Sequence, residues 1–589
     1  MSLLILCNLI KDQGRLPDFM RKATIATIPK KGRLSQTDLS GERGIFLVSA
    51  LRSICLRLAY NSKQAMINSN MSHSNIGGRR NKSCRNHIWI LNAIIHDQMS
   101  SVKKTPIIFQ QYDYKQMFDG MNLRETCNDL FDIGVKDDTL KLVYDANRKI
   151  NFRVKTPTGM TDEGTLEEIL LQGDTWASVA ASVQCDFFGK ELLNEEPSFI
   201  FKYKGHIPVG ILGQVDDLIG VTEAGYKSHQ MNAYLNLKTA DKYLQFGQDK
   251  CKTMFVSKKK EVEEYLHSQL EVDTWKVTFD EEENMTERFD GKKPMEEVKQ
   301  IKYLGVIISQ NGSNMPDIKA KQNKALGTQK MIMNIIKGLG TYTFECGLIY
   351  LRSILRGSIL YGTEVMFHIT EMEKRTLEKI EESQMRNFFQ TEKGCSIQIM
   401  YLDGGLVPAR YLILGNKVNY LHYILNEDSN SLLLKFLQAQ IKFPVKNDWN
   451  SEVKNILTQL QINLSYEEIR SMKKSTFKTL VRRSVEKKAF SDLINKQKSG
   501  QKGCEIMYGK TFEMADYLMP NQLNIEDLIE IFQLRSRTNK LPSNWGDNKF
   551  CETGRKLVCK NNPILNCFVL HVREKYNINL INNGNIKKN

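Results

Sequence analysis

Three aspartates at the ends of apolar segments are the residues of this sequence best suited to chemistry. Asp113 ends the apolar segment 107–113, and the pair Asp216–Asp217 lies inside the apolar segment 209–221. Both segments have the composition of buried strands, where an ionised carboxylate is costly unless a cation or hydrogen-bond donors compensate it. If the fold brings these acids together, they predict a divalent metal site of the kind that performs nucleotidyl transfer.

The Asp216–Asp217 pair is expected in the tight turn of a β-hairpin. Apolar residues flank the pair on both sides, and such a turn directs one side chain inward and its neighbour outward. The pair Asp137–Asp138 differs, because it lies in a polar stretch and is expected to be solvated. A hairpin turn with only a structural role is the alternative interpretation of Asp216–Asp217.

Length, charge and cysteine content limit the class of protein. The chain has 589 residues, 41% hydrophobic and 25% charged, so we expect several globular domains and not a disordered chain. The formal net charge is +16, and residues 1–105 hold 17 Lys and Arg against 5 Asp and Glu. That region is the expected contact for a polyanion, with an ordinary solvated basic surface as the alternative. No apolar run reaches the roughly 18 residues that span a bilayer, and the scattered cysteines suit a reducing compartment.

Residues 113–119 carry a specific family resemblance. They resemble motif A of the reverse transcriptases of non-LTR (LINE-type) retrotransposons, which usually reads Asp-x-x-Lys-Ala-Phe-Asp. The spacing from Asp113 to Phe118 is kept, while Gln116 and Met117 replace the usual Lys and Ala.

The two following motifs of that family also have counterparts. Residues 171–178 resemble motif B through the Gln-Gly-Asp core at 172–174, with Thr175 in place of the usual Pro. Residues 214–217 resemble motif C, although Gln214 replaces the usual aromatic residue.

Further segments resemble the family in the same order. Residues 246–252 resemble motif D, whose lysine is best matched by Lys250, with Lys252 as the alternative. Residues 303–305 resemble motif E, and three segments resemble the conserved fingers segments, namely 28–32, 42–49 and 77–79. Order and spacing hold from about residue 16 to 309, and this collinearity is far more specific than any single motif.

The resemblance implies a role for each matched residue. The expected catalytic and metal-binding group consists of Asp113 and Asp216 bridging two Mg²⁺ ions, Asp217 as an outer ligand, and Lys250 neutralising or protonating the leaving pyrophosphate. The expected nucleotide contacts are Lys30 and Arg43 at the triphosphate, Phe118 under the incoming sugar, and Gln172 and Gly173 beside the nascent base pair. The expected primer grip consists of Tyr303, Leu304 and Gly305.

The resemblance also implies a right-hand polymerase fold. Strand-like and helical segments alternate from 105 to 310, which agrees with an α+β core. The expected parts are an N-terminal helix and fingers (1–104), a palm (105–310) with a charged insertion (about 258–299), a helical thumb (311–400), a helical C-terminal region (401–540) and a Cys/His tail (541–589).

Two sets of residues in the later parts have specific expectations. Along the thumb, recurring lysines are expected either to contact duplex phosphates or to form an ordinary solvated face, namely Lys319, Lys321, Lys324, Lys330 and Lys337. In the tail, four residues have the wrong spacing for the family's zinc knuckle, which predicts a degenerate knuckle, namely Cys551, Cys559, Cys567 and His571.

The function implied by the resemblance is RNA-directed DNA polymerisation. The chain would extend a DNA primer on an RNA template with dNTPs and Mg²⁺, in the nucleus or the cytoplasm, as part of non-LTR retrotransposition. The endonuclease that this process requires is expected in a missing upstream segment, so that the chain is a fragment or a truncated copy.

Two other functions stay open. A decayed copy could bind RNA as a scaffold without polymerising, which the departures at Gln116, Thr175 and Gln214 favour. An intron maturase shares the palm and often has a lysine where Lys115 lies. It is the weaker alternative, because it should carry a distinct RNA-binding domain after the thumb, whereas the C-terminal layout here is LINE-like.

Overall fold

The computed structural model describes residues 3–29, 42–115, 117–156, 158–195, 197–242, 244–247, 249–258, 270–279, 285–339, 344–388, 397–498, 578–580 and 586–588. Helices and strands are both abundant in these residues, so the predicted α+β class is confirmed. The chain divides into two units, of which unit 1 comprises Met1–Gly312 with Ser429–Val445, and unit 2 comprises Ser313–Asp428 with Lys446–Asn589. No helix within the described ranges is long and apolar enough to cross a membrane.

Unit 1 contains all of the strands that concern the site. Its helices are α1 (Leu3–Gln13), α2 (Ala50–Asn70), α3 (Cys84–Gln98), α4 (Met117–Gly120), α5 (Leu123–Asp132), α6 (Asp137–Ala146), α7 (Thr175–Glu195), α8 (Tyr226–Asp241) and α15 (Leu432–Lys442). Its strands are β1 (Lys22–Pro29), β2 (Glu42–Val48), β3 (Ile107–Asp113), β4 (Arg148–Thr156), β5 (Gly159–Met160), β6 (Gly164–Glu168), β7 (Phe201–Tyr203), β8 (Ile207–Val209), β9 (Ile211–Gln214), β10 (Asp217–Glu223), β11 (Lys252–Val256), β12 (Glu271–Phe279), β13 (Met285–Pro294), β14 (Glu296–Glu297), β15 (Gln300–Tyr303) and β16 (Val306–Ser309).

A five-stranded sheet in the order β14-β11-β3-β10-β9 forms the centre of unit 1. Strand β3 pairs antiparallel with β10 on one side and with β11 on the other. Successive residues of the central strands are buried, as Ile107 and Ile108 on β3 and Leu218 and Ile219 on β10 show. Because side chains alternate between the two faces of a strand, burial of both neighbours means that both faces of this sheet are covered. This explains why the sequence shows apolar runs here and not an alternating pattern.

Helix α7 forms the core against this sheet. Residues on nearly every side of it are buried, including Trp176, Ala180 and Val183, which is the pattern of a helix in the middle of a core. The amphipathic helix α5 lies nearer the surface, and its start is fixed by Asn122, whose side-chain oxygen accepts the N–H groups of Arg124 and Glu125. These helices hold the sheet that carries the candidate site.

A second sheet and a hairpin complete the strands of unit 1. Strands β1, β2, β4, β5 and β6 form one mixed sheet, in which β1 is antiparallel to β2 and parallel to β4. Within the predicted charged insertion, β12 and β13 pair as an antiparallel hairpin. The base of that hairpin is not a surface feature, because Leu270, Val272 and Met295 are buried in the core of unit 1.

A segment from late in the chain, residues 429–445, belongs to unit 1. It forms α15, whose Phe436 ring stacks on Tyr203 with centroids 4.0 Å apart and lies edge-on to Trp89 at 6.4 Å. All three aromatic rings are buried. The core of unit 1 is therefore built from two separated stretches of sequence.

Unit 2 is helical apart from one short pair of strands within its described residues. Its elements are α9 (Met315–Leu339), α10 (Phe344–Ile349), a π-helical turn (Tyr350–Leu355), α11 (Arg356–Ile359), α12 (Glu371–Phe388), α13 (Ile397–Asp403), α14 (Ala409–Leu425), α16 (Trp449–Gln459), α17 (Tyr466–Ser471), α18 (Lys474–Lys498), β17 (Ile578–Leu580) and β18 (Ile586–Lys588). In its core, the buried Glu381 carboxylate accepts hydrogen bonds from Arg356 Nε, Tyr401 Oη and the Ala409 N–H at 2.6, 2.9 and 3.0 Å.

Candidate active site

The structure brings the three sequence-predicted aspartates to one end of the central sheet. Asp113 is the last residue of β3, and Asp217 is the first residue of β10 and its direct cross-strand partner. Directly opposed residues of an antiparallel pair have Cα atoms about 4.5–5.5 Å apart and side chains on the same face. Asp216 lies in the turn immediately before Asp217, so residues about one hundred positions apart in sequence form one carboxylate group.

The turn that carries Asp216 has an unusual backbone. Gln214 pairs with Asp217, which leaves Val215 and Asp216 as the two central residues of the β9–β10 hairpin. We expected both aspartates in the turn, but Asp217 already belongs to β10. Val215 has a φ of 57°, a conformation that a β-branched residue rarely adopts and that persists only when the surroundings enforce it.

Burial and mutual repulsion disfavour ionisation of two of these carboxyl groups. The pKa of Asp217 is raised from 3.8 to about 6 by burial first and then by the charges of Asp216 and Asp113, against an opposing effect of Lys250. The pKa of Asp216 is raised by burial and by Asp113, while its own backbone, Lys250 and Arg43 act in the opposite direction. The site is therefore a cluster of carboxylates that additional positive charge would stabilise.

Lys250 supplies one positive charge directly. Its Nζ atom lies 2.6 Å from Asp113 Oδ1, and its side chain is 60% exposed. The turn that carries it is attached to the end of β3, because the Gly247 N–H donates to Asp113 O at 2.7 Å. The alternative lysine, Lys252, lies on β11 and pairs with Glu296 at 2.8 Å. Of the two candidates, the structure brings Lys250 to the aspartates.

The carboxylates have the ligand chemistry that Mg²⁺ needs, but their side chains are not arranged as a metal-binding group. Three carboxylates at one sheet edge are the hard oxygen ligands that Mg²⁺ prefers. Within the described ranges, however, no group of three or more His, Cys, Asp or Glu side chains is arranged to hold a metal ion. Asp113 is paired with Lys250 instead. That pair occupies Oδ1 of Asp113, while Oδ2 has no contact with the ammonium and could still serve as a metal ligand.

Three of the expected nucleotide contacts lie in the segments before and after β3. Arg43 is exposed on β2, and its charge lowers the pKa of Asp216. Phe118 is half-buried on α4 and packs against the core. Lys30 lies outside the described residues.

The motif B segment forms a turn in front of α7. Gly173 is exposed with a φ of 101° and has open space around its α-carbon, so a close approach of another molecule to this backbone is possible. Gln172 is half-buried beside it. The next residue, Asp174, is buried and accepts hydrogen bonds on Oδ2 from Arg52 Nε at 3.1 Å and Nη2 at 2.7 Å. This ion pair anchors the turn to α2.

The predicted primer-grip segment has a buried aromatic residue and an accessible turn. Tyr303 is only 1% exposed, and its hydroxyl oxygen lies 3.0 Å from His87 Nδ1 and 3.5 Å from Leu212 O. The Tyr303 side chain therefore packs beneath the β9–β10 hairpin and is not available to a primer, contrary to the expectation for this residue. Leu304 and Gly305 form the tip of the β15–β16 hairpin with φ values of 47° and 85°, and Gly305 is exposed.

Several residues that support the site were missed in the sequence analysis. Arg52, His87 and Cys185 are buried, and they contact the motif B turn, motif E and the β9–β10 hairpin, respectively. No local pattern distinguishes them from other core or helical residues. Arg79 was matched to a fingers segment without a specific role, and in the structure it is 8% exposed and donates hydrogen bonds to backbone carbonyls. Its position after two glycines is the one sequence signal that could have identified it.

Two further expectations fall in unit 2. Among the thumb lysines, Lys321 cannot contact a phosphate in this structure, because it is buried in an ion pair with Asp317. Lys324 is exposed, whereas the side chain of Lys337 is outside the described residues. The four residues of the Cys/His cluster also lie outside the described residues, namely Cys551, Cys559, Cys567 and His571.

Of the comparisons with known proteins, the one with solved structures finds similar chains. No protein-family model matches the chain, and no curated protein matches it. Among solved structures, it is similar to apo telomerase from Candida tropicalis truncated from the C-terminal domain (14% identity, 50% of this chain and 54% of that chain, TM-score 0.28). It is also similar to telomerase from Candida albicans in complex with the TWJ fragment of telomeric RNA (10% identity, 78% and 66% coverage, TM-score 0.36) and to apo telomerase from Candida tropicalis (10% identity, 79% and 69% coverage, TM-score 0.33). The chain spans about half of the first protein and about two-thirds of the others, and likenesses with TM-scores this low carry no further conclusion about it.

Proposed function

We propose that this chain is an RNA-directed DNA polymerase of the non-LTR retrotransposon type, with a right-hand arrangement of fingers, palm and thumb. The observation that carries the proposal is the position of Asp113 opposite Asp217, with Asp216 in the adjoining turn and Lys250 at 2.6 Å from Asp113. Nucleotidyl transfer needs an acidic site of this kind beside a cationic side chain.

Mg²⁺ would be held by Asp113 and Asp216, with Asp217 as an outer ligand. Bound there, it would supply Lewis-acid activation of the primer 3′-hydroxyl and charge neutralisation at the triphosphate. The protein's own contribution is a rigid sheet edge that fixes the carboxylates before the substrate arrives. With the backbone fixed in this way, only side chains such as Lys250 have to move during the reaction.

The cationic residues would act on the phosphates. The flexible and exposed Lys250 would move from Asp113 to the leaving pyrophosphate, where its ammonium neutralises charge and can donate a proton from Nζ. Arg43, exposed on β2, would bind the triphosphate with its planar fork. Lys30 is the second proposed triphosphate contact.

The remaining contacts would position the sugar, base and primer. Phe118, half-buried on α4, would pack under the sugar of the dNTP. Gln172 and the open backbone at Gly173 would approach the nascent base pair. The turn at Leu304 and Gly305 would contact the primer backbone, while Tyr303 supports it from the core.

The proposed partners are an RNA template, a DNA primer and dNTPs. In the retrotransposition process that the sequence motifs suggest, an endonuclease nicks the target and provides the primer. We propose that an endonuclease acts together with this protein, and that the protein acts in the nucleus or the cytoplasm.

A catalytically decayed copy that binds RNA as a scaffold is the second candidate. One observation favours it: among the described residues, no group of three or more His, Cys, Asp or Glu side chains is arranged to hold a metal ion. The replacement of the motif C aromatic residue by Gln214 points in the same direction.

A primer-extension assay separates the two candidates. The wild-type chain should extend a DNA primer on an RNA template in the presence of dNTPs and Mg²⁺, and Asp216→Asn should reduce the rate by about 10³-fold, since a bound metal contributes several kcal/mol to transition-state stabilisation. Asp138→Asn is the matched control, because Asp138 lies in an exposed ion pair with Lys141 away from the site. Equal background incorporation by wild type and Asp216→Asn, with RNA binding retained by both, would favour the scaffold.

A further inference from the structure

We infer that the loop of residues 72–79, together with Cys185, is a positioning device that sets the conformation of the turn carrying Asp216. This inference rests on the proposed polymerase function, because it assigns a role in placing a proposed metal ligand. None of these residues is proposed to touch substrate or metal. Their role is to hold Val215, the residue before Asp216, in its positive-φ conformation.

The 72–79 loop pairs with the catalytic hairpin through its backbone. The Gly213 N–H donates to Ser74 O at 3.0 Å, and the Ile76 N–H donates to Gly213 O at 3.0 Å. Asn75 and Gly213 form a parallel β-bridge. The loop therefore acts as a short extra strand beside β9, two residues before the strained turn.

The loop itself is rigid because a buried arginine binds its carbonyl groups. Arg79 Nη1 donates to Ser72 O at 2.6 Å and to Asn75 O at 2.8 Å, and Arg79 Nη2 donates to Asn68 O at 2.7 Å. These are charge-assisted hydrogen bonds in a site that is nearly closed to water, so they are stronger than ordinary surface contacts.

The amide side of Val215 fits against Gly77 without space for a side chain. A Cβ atom added to Gly77 would lie 2.6 Å from Val215 N and 2.1 Å from Ser182 Oγ. The serine oxygen can rotate away, but the Val215 nitrogen belongs to the turn and can move only if the turn moves. Gly77 therefore permits a close backbone approach that no other residue allows.

The carbonyl side of Val215 is held by a thiol. Cys185 on α7 donates from Sγ to Val215 O at 3.1 Å, and Cys185 is 2% exposed. Both peptide groups of Val215 are thus fixed, one by the close packing of Gly77 and the other by Cys185. A residue with φ of 57° and a branched side chain needs such support to persist.

We expect this support of Val215 to fix the position of the Asp216 carboxylate. Since Val215 directly precedes Asp216, a change of the Val215 backbone rotates the following residue away from Asp113. A displacement of about 1 Å in a catalytic group can lower the rate by about 10²-fold. Binding of the template and primer uses other surfaces and should be preserved.

Gly77→Ala in the full chain tests this inference. We expect kcat to fall about 100-fold, the Mg²⁺ concentration for half-maximal extension to rise, and the Kd for a primer–template duplex to stay within about twofold. Amide hydrogen exchange in the peptide covering 211–218 should increase, since the turn becomes less restrained. Gly189→Ala is the matched control, because its added Cβ would lie 3.6 Å from Ser74 Oγ in the same region and causes no overlap.

Three further variants identify which contact is responsible. Ser182→Ala combined with Gly77→Ala removes the overlap with Ser182 Oγ but keeps the overlap with Val215 N, so activity should stay low. Cys185→Ala should lower kcat about fivefold, because one hydrogen bond contributes about 1 kcal/mol. Cys185→Ser keeps a donor and should recover most of the loss. These two variants decide the question if Gly77→Ala does not fold.

Three results would overturn the inference: near-normal kcat in Gly77→Ala, recovery of activity on adding Ser182→Ala, or equal loss in Cys185→Ala and Cys185→Ser. Failure of the proposed function is distinguishable, because then the wild-type chain itself shows no Mg²⁺-dependent extension. In that case hydrogen exchange decides: unchanged exchange of the 211–218 peptide in Gly77→Ala refutes the positioning role, and faster exchange supports it.

Discussion

Replacing Asp217 by Asn should stabilise the protein above pH 6 while lowering its activity. Burial and the charges of Asp216 and Asp113 raise the pKa of Asp217 from 3.8 to about 6. The folded protein therefore binds this proton more tightly than the unfolded chain. Stability from this group falls as pH rises from about 4 to about 6, and above pH 6 the full cost of the ionised form is present. Asparagine has the same shape without the charge and removes that cost.

The magnitude follows from the difference between the two pKa values. Each unit corresponds to about 1.4 kcal/mol, so the upper value is about 3 kcal/mol for Asp217. Because the side chain is partly exposed, screening by solvent reduces the expected gain to about 1–2 kcal/mol at pH 8. At pH 4 the folded state is almost fully protonated and the unfolded chain only partly so, and the expected difference in free energy of unfolding shrinks to about 0.5 kcal/mol or less.

Urea denaturation at pH 4 and pH 8, in EDTA and followed by tryptophan fluorescence, measures this difference. Asp138→Asn is the control, because its exposed ion pair with Lys141 should contribute little at either pH. An Asp217→Asn variant that is less stable than wild type at pH 8, or equally changed at both pH values, would refute the electrostatic reasoning. In the primer-extension assay the same variant should have reduced activity. The charge that lowers the stability of the folded protein is also the charge that the proposed metal site uses.

Two further perturbations test the residues beneath the site. Asp174→Asn should destabilise the protein by about 3–5 kcal/mol in urea denaturation, because it leaves the Arg52 guanidinium buried without its partner; a loss below 1 kcal/mol would show that the ion pair is not a structural anchor. Burial lowers the pKa of His87 to about 3, so the protein should lose stability as pH falls below about 6.5 towards 3. His87→Gln should remove that slope, and an identical pH dependence in variant and wild type would contradict this.

The sequence was sufficient for features that local patterns determine. Apolar runs lie before Asp113 and around Asp216, and they form two buried antiparallel strands. The acids at the ends of these runs therefore lie at the ends of the strands. The spacing within the motif D segment likewise identified Lys250, which the structure brings to Asp113.

Features that depend on contacts between distant segments could not be predicted. Nothing near Tyr303 in the sequence indicates that its hydroxyl lies against His87. The burial of Tyr303 could therefore not be predicted. The i, i+4 pair of Asp317 and Lys321 is readable from the sequence, but its burial depends on the packing around α9 and could not be predicted. The positive φ of Val215 is enforced by the 72–79 loop, about 140 positions upstream, which no local pattern of a valine indicates.

The late segment that contributes Phe436 to unit 1 has a consequence for biosynthesis. Trp89 and Tyr203 are made early by the ribosome, but the aromatic ring that covers them emerges only after all of α9 to α14 has been translated. Contacts between such distant positions form slowly, because a long chain must first close. Until α15 arrives, a nascent chain would expose these rings and be prone to aggregate or to need a chaperone. A product that stops before residue 429 should therefore be poorly soluble even though its carboxylate site is complete in sequence.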